Sequence, residues 1–429
     1  MSITTPIGSG TLPKAVFYAK SVTDYSSADS FSDVLYDSAR QQLYLSGTDH
    51  IDVFSLTSNS WQTPLKPATL GSASQFRGLA LSPDGTQLLA TNLLDQSLSV
   101  ISIDTTSQTF AIAIPPPSSS GQGCLTGPFA VTALAGQQAL VSSGLPPTIG
   151  GCPYAQTLYV ANLQARTVSQ ARAQSYVCST VASTSEGTAD GTLAIVGAEG
   201  GGSCLYSVTS NSFIVTQSGS INYYGVGISG DGNIASVSNA FVDPSGNMLG
   251  GLGRPAGLFP NQLATPYPLN DYPSNTLQRP RLNASGSLYY WAYPNYFEIF
   301  DVPTATLKMR FSLAETIQNV ETPLAIDEGG RQIFLITDKG LTIIDLGTAP
   351  LSIGHIDPVS GAASQVQVRG SGFVSGLSAM IDQQSATTVF VDENTFKLTV
   401  PTMAAGNHDL TITNPDGSTY TLKSAISVQ

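Results

Sequence analysis

Short apolar runs of about five residues, separated by polar turn residues, follow one another along most of the chain. In "SPDGTQLLATNLLDQSLSVISID", residues 82–104, the pattern is a turn, an apolar strand, a second turn and a second strand. The unit recurs every 41 to 54 residues, and its post-turn strands begin at Leu43, Leu88, Ala139, Leu193, Ile234, Leu288 and Ile333. Periods of about 40 to 50 residues with several short strands are typical of propeller blades. We therefore predict an all-β protein containing a seven-bladed β-propeller.

The two ends of the repeat array predict how the ring closes. The seventh repeat stops at "LTIIDLG" without an outer strand, and an open edge there would expose unpaired backbone groups. The strand-like stretch "AVFYAKSV" precedes the first complete repeat. We predict that residues 1–14 are an N-terminal tail, that residues 15–348 form the propeller, and that residues 15–22 are the closing strand of its last blade.

The pattern changes in the last 80 residues. Residues 349–429 contain short alternating strands with turns every 8 to 12 residues, which is typical of an immunoglobulin-like β-sandwich. In "VQVRGSGF", Val366 and Val368 share one face before a glycine turn. We predict a second, C-terminal domain of this class.

Both parts resemble known families. The propeller repeats "SPDGTQLLATNLLDQSLSVISID" and "DEGGRQIFLITDKGLTIIDL" resemble the YVTN-type and NHL-like propellers of exported bacterial proteins. The C-terminal segment resembles the IPT/TIG family at Ile356, Pro358, Ser360, Gly361, Gly370, Gly372, Phe373, Pro401, Gly406 and the Asn414–Gly417 turn. The first resemblance implies a scaffold shared by lactonases, lyases and binding proteins, and the second implies a surface or secreted setting.

Composition narrows the classes of partner. Only 11% of residues are charged, against about 25% in an average protein, and the net charge is −12. The 17 basic residues are spread along the chain, which argues against nucleic acid or an anionic membrane as a partner. No stretch approaches the roughly 18 apolar residues of a membrane span, and "MSITTPIGSG" lacks the features of a signal peptide. We therefore expect the partner to be a protein or a carbohydrate, and not a nucleic acid or a membrane.

The cysteines indicate the compartment. Cys124, Cys152, Cys178 and Cys204 are evenly spaced, and no cysteine follows them. Such clustering favours disulfides and an oxidising, extracytoplasmic location, with an export signal trimmed before this sequence begins; the alternative is a chain that is not exported. Equivalent positions in the third and fourth repeats favour the pairs Cys124–Cys152 and Cys178–Cys204; the alternatives are a Cys152–Cys178 pair and free thiols. The absence of a CxxC motif or a neighbouring histidine argues against zinc.

A propeller normally carries its chemistry where the first strand of each blade enters the central channel. Counting eight residues back from each turn gives Ser32, Arg77, Pro128, Ser183, Tyr224, Gln278 and Thr322. This ring has neither carboxylate nor histidine, whereas the lactonases that the propeller resembles need convergent Glu, Asn and Asp for calcium. A slip of one residue would bring in Asp33, Glu321 or Arg279. We therefore predict no metal or cofactor. Arg77, Tyr224, Gln278 and Arg279 are the candidates for a polar binding site in the channel, although the favoured interpretation is that they are solvated channel residues.

The sequence contains no pattern typical of a nucleophilic enzyme. There is no GxSxG motif, and His50 beside Asp49 is interpreted as a surface turn. We predict no catalytic residues. The favoured function is a non-catalytic, extracytoplasmic binding protein that uses the propeller face and loops. The alternatives are a lactonase- or lyase-like propeller enzyme with a divalent metal in its channel, and a structural spacer without a small-molecule ligand.

Overall fold

A computed structural model describes residues 2–5, 8–11, 19–104, 109–116, 126–144, 157–171, 182–198, 202–218, 226–237, 240–245, 248–251, 280–320, 322–358 and 364–428. Every regular element in these ranges is a β-strand, and no helix in them is long and apolar enough to cross a bilayer. The chain begins with a hairpin of β1 (Ser2–Thr5) and β2 (Gly8–Thr11), followed by β3 (Ser21–Ser26).

Seven antiparallel sheets of four strands form the propeller, which confirms the predicted fold. Blade one contains β4 (Val34–Asp37), β5 (Gln42–Ser46), β6 (Ile51–Ser55) and β7 (Ser60–Trp61). Blade two contains β8 (Phe76–Leu81), β9 (Gln87–Asn92), β10 (Ser97–Ser102) and β11 (Thr109–Ala113). Blade three contains β12 (Gly127–Leu134), β13 (Gln138–Gly144), β14 (Thr157–Asn162) and β15 (Thr167–Gln170). Blades four and five contain β16 (Ala182–Gly187), β17 (Leu193–Ala198), β18 (Gly202–Ser207), β19 (Ser212–Ser218); and β20 (Val226–Ile228), β21 (Ala235–Val237), β22 (Ala240–Val242), β23 (Met248–Gly251). Blades six and seven contain β24 (Arg281–Leu282), β25 (Leu288–Tyr293), β26 (Tyr296–Asp301), β27 (Thr306–Ser312); and β28 (Leu324–Ile326), β29 (Gln332–Thr337), β30 (Gly340–Asp345).

The fourth strand of blade seven comes from the start of the chain. β3 pairs antiparallel with β30, from Ser21 opposite Asp345 to Ser26 opposite Gly340. An N-terminal strand therefore closes the ring, as predicted. The predicted bounds of 15–22 are wrong, because the strand begins at Ser21, after Ala19 and Lys20. Residues 15–18 lie outside the described ranges. The physical reason is that the outermost strand of a blade faces solvent. Five of the six residues of β3 are accordingly exposed, whereas the prediction followed an apolar run.

Adjacent blades pack through their hydrophobic faces, and the same packing joins the last blade to the first. Val34, Leu45 and Phe54 of blade one contact Phe334 and Ile336 of blade seven in one buried cluster. Equivalent clusters join blades two and three, and blades six and seven. The ring is thus closed both by strand pairing and by a continuous apolar contact.

The turns between the first and second strands of the blades define what we call the lower face; the opposite side, where each chain segment enters a blade, is the upper face. In blade two, Asp84 accepts hydrogen bonds from the Ser82 hydroxyl (2.5 Å) and from the Thr86 amide (3.0 Å). Gly85 completes this turn at φ +69°, a conformation that a side chain would disfavour. The same Ser/Thr-x-Asp-Gly network recurs at Asp190 and Asp231.

The turn at Asp84 predicts a pH effect. Hydrogen bonds from Ser82 and Thr86 lower the pKa of Asp84 below its ordinary value, so its stabilising contribution is present above the pKa of the unfolded chain, near 4, and is lost as pH falls through the folded value. We expect Asp84→Asn to lower the urea midpoint at pH 7 and to approach the wild type near pH 3. A difference that stays constant between these two pH values would contradict this assignment.

The C-terminal domain is a two-layer sandwich of seven strands. Its strands are β31 (Ser352–Pro358), β32 (Gln365–Ser371), β33 (Ser378–Ile381), β34 (Gln384–Asp392), β35 (Thr395–Thr399), β36 (Gly406–Thr413) and β37 (Thr419–Val428). β34 pairs with β35 in one layer and with β33 in the other. Gly372, at φ +69°, lies against the Ala349 carbonyl where a Cβ would collide, and Phe373 packs edge-on against Phe396 at 4.9 Å. The glycine-rich motif thus turns the chain and delivers a core aromatic residue.

Asp301, at the end of β26, ties the sandwich to the propeller. Its side chain is fully buried and accepts hydrogen bonds from the Ser352 hydroxyl (2.6 Å) and from the Tyr420 hydroxyl (3.0 Å) of the C-terminal domain. Lys308 Nζ lies 3.6 Å from the Asp301 carboxylate and 4.6 Å from the centre of the Tyr420 ring. Burial and the negative charge of Asp301 raise the pKa of Tyr420 well above its ordinary value, so the phenol stays a donor.

Candidate functional site

A cavity of about 830 Å³ occupies the central channel and extends to the lower face. Residues from all seven blades line it, and four residues of the C-terminal domain border its lower end: Asp357, Arg369, Asn394 and Thr395. The turn residues Ser38, Ala39 and Asp84 of blades one and two are exposed at its edge, so the cavity reaches solvent on that side.

The lining of the cavity is acidic. Carboxylates outnumber arginines among the described lining residues, which include Asp33, Asp37, Asp84, Glu186, Asp231, Asp327, Glu328 and Asp357 against Arg281 and Arg369. In a channel with low-dielectric walls, such an excess gives a negative potential that attracts cations. Burial raises the pKa of Asp327, although amide donors at Arg331 and Gln332 partly offset the effect.

An ion pair spans the channel wall between blades four and six. Arg281 Nη1 lies 3.0 Å from Glu186 Oε1, and both side chains are largely buried. Arg281 is oriented by a second bond, from its Nε to the Leu324 carbonyl of blade seven (3.2 Å). Gly227 of blade five leaves room for Glu186, since a Cβ there would lie 3.2 Å from Glu186 Oε2. The pair therefore places one positive and one negative group at a fixed position on the wall.

Asp33 has a structural role at the upper end of the same channel. Its carboxylate accepts a hydrogen bond from the Leu79 amide of blade two (2.8 Å), and its backbone bridges to Thr322 of blade seven. The Thr322 amide also donates to the Ser32 carbonyl (3.1 Å). The carboxylate of Asp33 thus contacts blade two, while the backbone of Ser32 and Asp33 contacts blade seven where the ring closes.

Hydrogen bonds also link neighbouring turns around the lower rim. Four are backbone bonds and two use side chains: Ala135 to Gly191, Ala189 to Gly230, Asp231 to Ala284, Ala284 to Glu328, Ser38 to Glu328 and Arg40 to Gly85. Arg40 is itself held by Asp37 (3.0 Å) and Asp104 (2.6 Å). These bonds hold the turns around the mouth of the cavity in place.

The predicted binding residues lie elsewhere or outside the described ranges. Arg77 is half-buried at the upper end, where it donates to the Ser32 hydroxyl (3.3 Å), and it is absent from the residues that line the cavity. Tyr224, Gln278 and Arg279 lie outside the described residues, and a binding role for all four residues stays a prediction. Glu186 and Arg281 were missed; the signal was a charged residue within the first strand of a blade, β16 for Glu186 and β24 for Arg281.

Of the four cysteines, only Cys204 lies in the described residues. It is buried in β18, and no cysteine of the described residues is a free thiol. Cys124, Cys152 and Cys178 lie outside those ranges, so the pairing Cys178–Cys204 and the pairing Cys124–Cys152 stay predictions.

The geometry defines a seven-bladed β-propeller with an acidic channel and a C-terminal immunoglobulin-like domain. Residues 351–426 match the family model described as IPT/TIG domain, which confirms the predicted class of this domain. The fold is similar to that of Kuenenia stuttgartiensis Hydrazine Synthase, with a TM-score of 0.53 and 12% sequence identity over 76% of this chain and 99% of that chain. At this identity the likeness concerns the fold alone. A search of curated protein sequences gave no match.

Proposed function

We propose that this protein is a non-catalytic binding protein that works outside the cytoplasm, and that its lower channel cavity receives a positively charged group of a protein partner. The observation that carries the proposal is the carboxylate excess around an 830 Å³ cavity that reaches solvent beside blades one and two. A rigid rim and a buried charge pair give such a cavity a defined shape before the ligand arrives, which lowers the cost of binding.

The architecture supports the binding role in general terms. A propeller joined to an IPT/TIG domain is suited to interaction with partners, and IPT/TIG domains are common in extracellular proteins. The proposed disulfides Cys178–Cys204 and Cys124–Cys152 would fit the same compartment. A carbohydrate is the second ligand class to test, since carboxylates also accept hydrogen bonds from sugar hydroxyls.

Two variants that change the charge of the Arg281–Glu186 ion pair in opposite directions test the proposed ligand class. On an array of lysine- and arginine-containing peptides and neutral glycans, we expect the wild type to bind cationic peptides in a salt-sensitive way. Glu186→Gln should weaken this binding about tenfold, while Arg281→Gln should strengthen it, because the two changes shift the cavity charge in opposite directions. Loss of folding cannot produce effects of opposite sign.

Glu315→Gln is the matched control, since Glu315 does not line the cavity. The proposed ligand class is wrong if only neutral glycans bind, or if Glu186→Gln and Glu315→Gln have equal effects. The alternative of a channel-metal enzyme predicts a divalent ion in the purified protein that both channel variants alter. Elemental analysis of those variants separates the two functions.

A further inference from the structure

One histidine and two aspartates converge on the upper face of blade one, away from the lower cavity. His50 Nε2 lies 3.1 Å from Asp52 Oδ2 and 3.6 Å from Asp29 Oδ2, and the three ligand atoms all lie within 4.8 Å of one another. Asp52 is largely buried, and its contact with His50 Nε2 places its Oδ2 at this site. The sequence-based interpretation of His50 as a plain surface turn did not include Asp29, which lies in a different segment.

A fourth carboxylate orients the imidazole. Asp49 Oδ1 lies 2.6 Å from His50 Nδ1, on the side of the ring opposite Asp29 and Asp52. A proton held between Asp49 and Nδ1 leaves the Nε2 lone pair facing the two other carboxylates. Metal-binding histidines are held in this way by a carboxylate on the second ring nitrogen.

Gly47 keeps space open beside the three ligand atoms. A Cβ at this position would lie 3.6 Å from both His50 Nε2 and Asp52 Oδ2. Because the residue is glycine, no side chain occupies this position beside the ligand atoms.

We propose that Asp29, His50 and Asp52 bind one divalent transition-metal ion, with zinc as the best fit. Zinc bonds of about 2.0–2.1 Å in a tetrahedron place neighbouring ligand atoms about 3.3–3.4 Å apart, and the distances of 3.1 and 3.6 Å lie on either side of that value. One imidazole nitrogen and two carboxylate oxygens suit zinc, and they leave a fourth position for water.

The position of the site gives it a consequence for the fold. Asp29 follows the closing strand β3, whereas His50 and Asp52 belong to the connection between β5 and β6 and to the start of β6 in blade one. The metal would therefore pin the segment that leads from blade seven to blade one. The free energy that stabilises the closed ring would then depend partly on bound metal.

Titration calorimetry on the tag-free full-length protein, with ZnCl₂, MnCl₂ and CaCl₂ as separate probes, tests the site. We expect one zinc per chain, weaker binding of manganese and the weakest binding of calcium. His50→Gln and Asp29→Asn should weaken zinc binding at least 100-fold, and Asp49→Asn should weaken it about 10- to 100-fold. Zinc should raise the melting temperature of the wild type but not that of Asp29→Asn, which replaces a partly exposed carboxylate by a neutral amide.

His408→Gln is the control, because His408 also contacts an aspartate, Asp382, at 2.8 Å but lies in the C-terminal domain. Its zinc binding should equal that of the wild type. The proposal is overturned if the wild type takes up no zinc in a one-to-one ratio, if His50→Gln and Asp29→Asn bind as tightly as the wild type, or if His408→Gln removes the binding. Tighter binding of calcium than of zinc would also overturn it.

Discussion

A chain lacking residues 1–26 is expected to lose about 3–9 kcal/mol of folding free energy, because it lacks the strand that closes the propeller. Six residue pairs join β3 to β30, which corresponds to about six interstrand hydrogen bonds at about 0.5–1.5 kcal/mol each. The deletion also removes Tyr25, whose ring lies 4.4 Å from that of Phe54 in blade one, and the Ser26 carbonyl that accepts a bond from Trp61. The exposed edge of β30 should promote aggregation.

Urea unfolding and light scattering measure the two parts of this prediction. The matched control is deletion of residues 1–11, which removes only the hairpin of β1 and β2 and leaves β3 in place. We expect the shorter deletion to shift the unfolding free energy by less than about 1 kcal/mol. Equal stability of the two truncated chains would show that β3 does not hold the ring.

The second large effect is expected at the domain interface. Asp301→Ala should cost about 3–5 kcal/mol, because it leaves Lys308 with an uncompensated charge and removes the acceptor for the hydroxyls of Ser352 and Tyr420. These partners lie in both domains. We therefore expect calorimetry to show two separated transitions in place of one, and limited proteolysis to release the C-terminal domain.

Glu298→Ala provides the control for this effect. Glu298 is equally buried and lies on the same strand β26, but its ion pair with Arg310 (2.5 Å) lies within blade six. This variant should be destabilised without separating the domains. Two separated transitions in Glu298→Ala, or a single transition in Asp301→Ala, would contradict the role given to Asp301.

The sequence was sufficient for the blades and insufficient for the closing strand. Each repeat carries its turn chemistry locally, as at Asp84 and Gly85, so pattern and period identify it. The closing strand β3 lacks such a signal because it is polar, and its partner β30 lies at the far end of the propeller. A closing strand from the N-terminus was predicted, but only the pairing across the ring reveals its bounds.

The channel lining could not be predicted by counting residues. In the first strands of blades two, three and four the register shifts between Phe76 and Leu79, between Pro128 and Ala130, and between Ala182 and Thr184. A β-bulge moves every following side chain to the other face, so the same count reaches different faces in different blades. Glu186 follows the bulge in β16, which accounts for its absence from the prediction; Arg281 lies in β24, whose described pairs with β25 show no register shift. The convergence of Asp29 with His50 likewise depends on tertiary structure.

A designed cross-link tests ring closure most directly, since the cavity and the proposed zinc site both depend on it. Asp24 lies opposite Thr342, whose hydroxyl donates to its carboxylate at 2.7 Å, so cysteines at these two positions face each other. In the variant Asp24→Cys/Thr342→Cys, peptide mapping under mild oxidation should find the two positions linked in nearly every molecule. A variant with Asp24→Cys and Thr306→Cys, on β27 of blade six, should not link. Absence of the first cross-link, or equal yields in both variants, would contradict a propeller closed by its N-terminal strand.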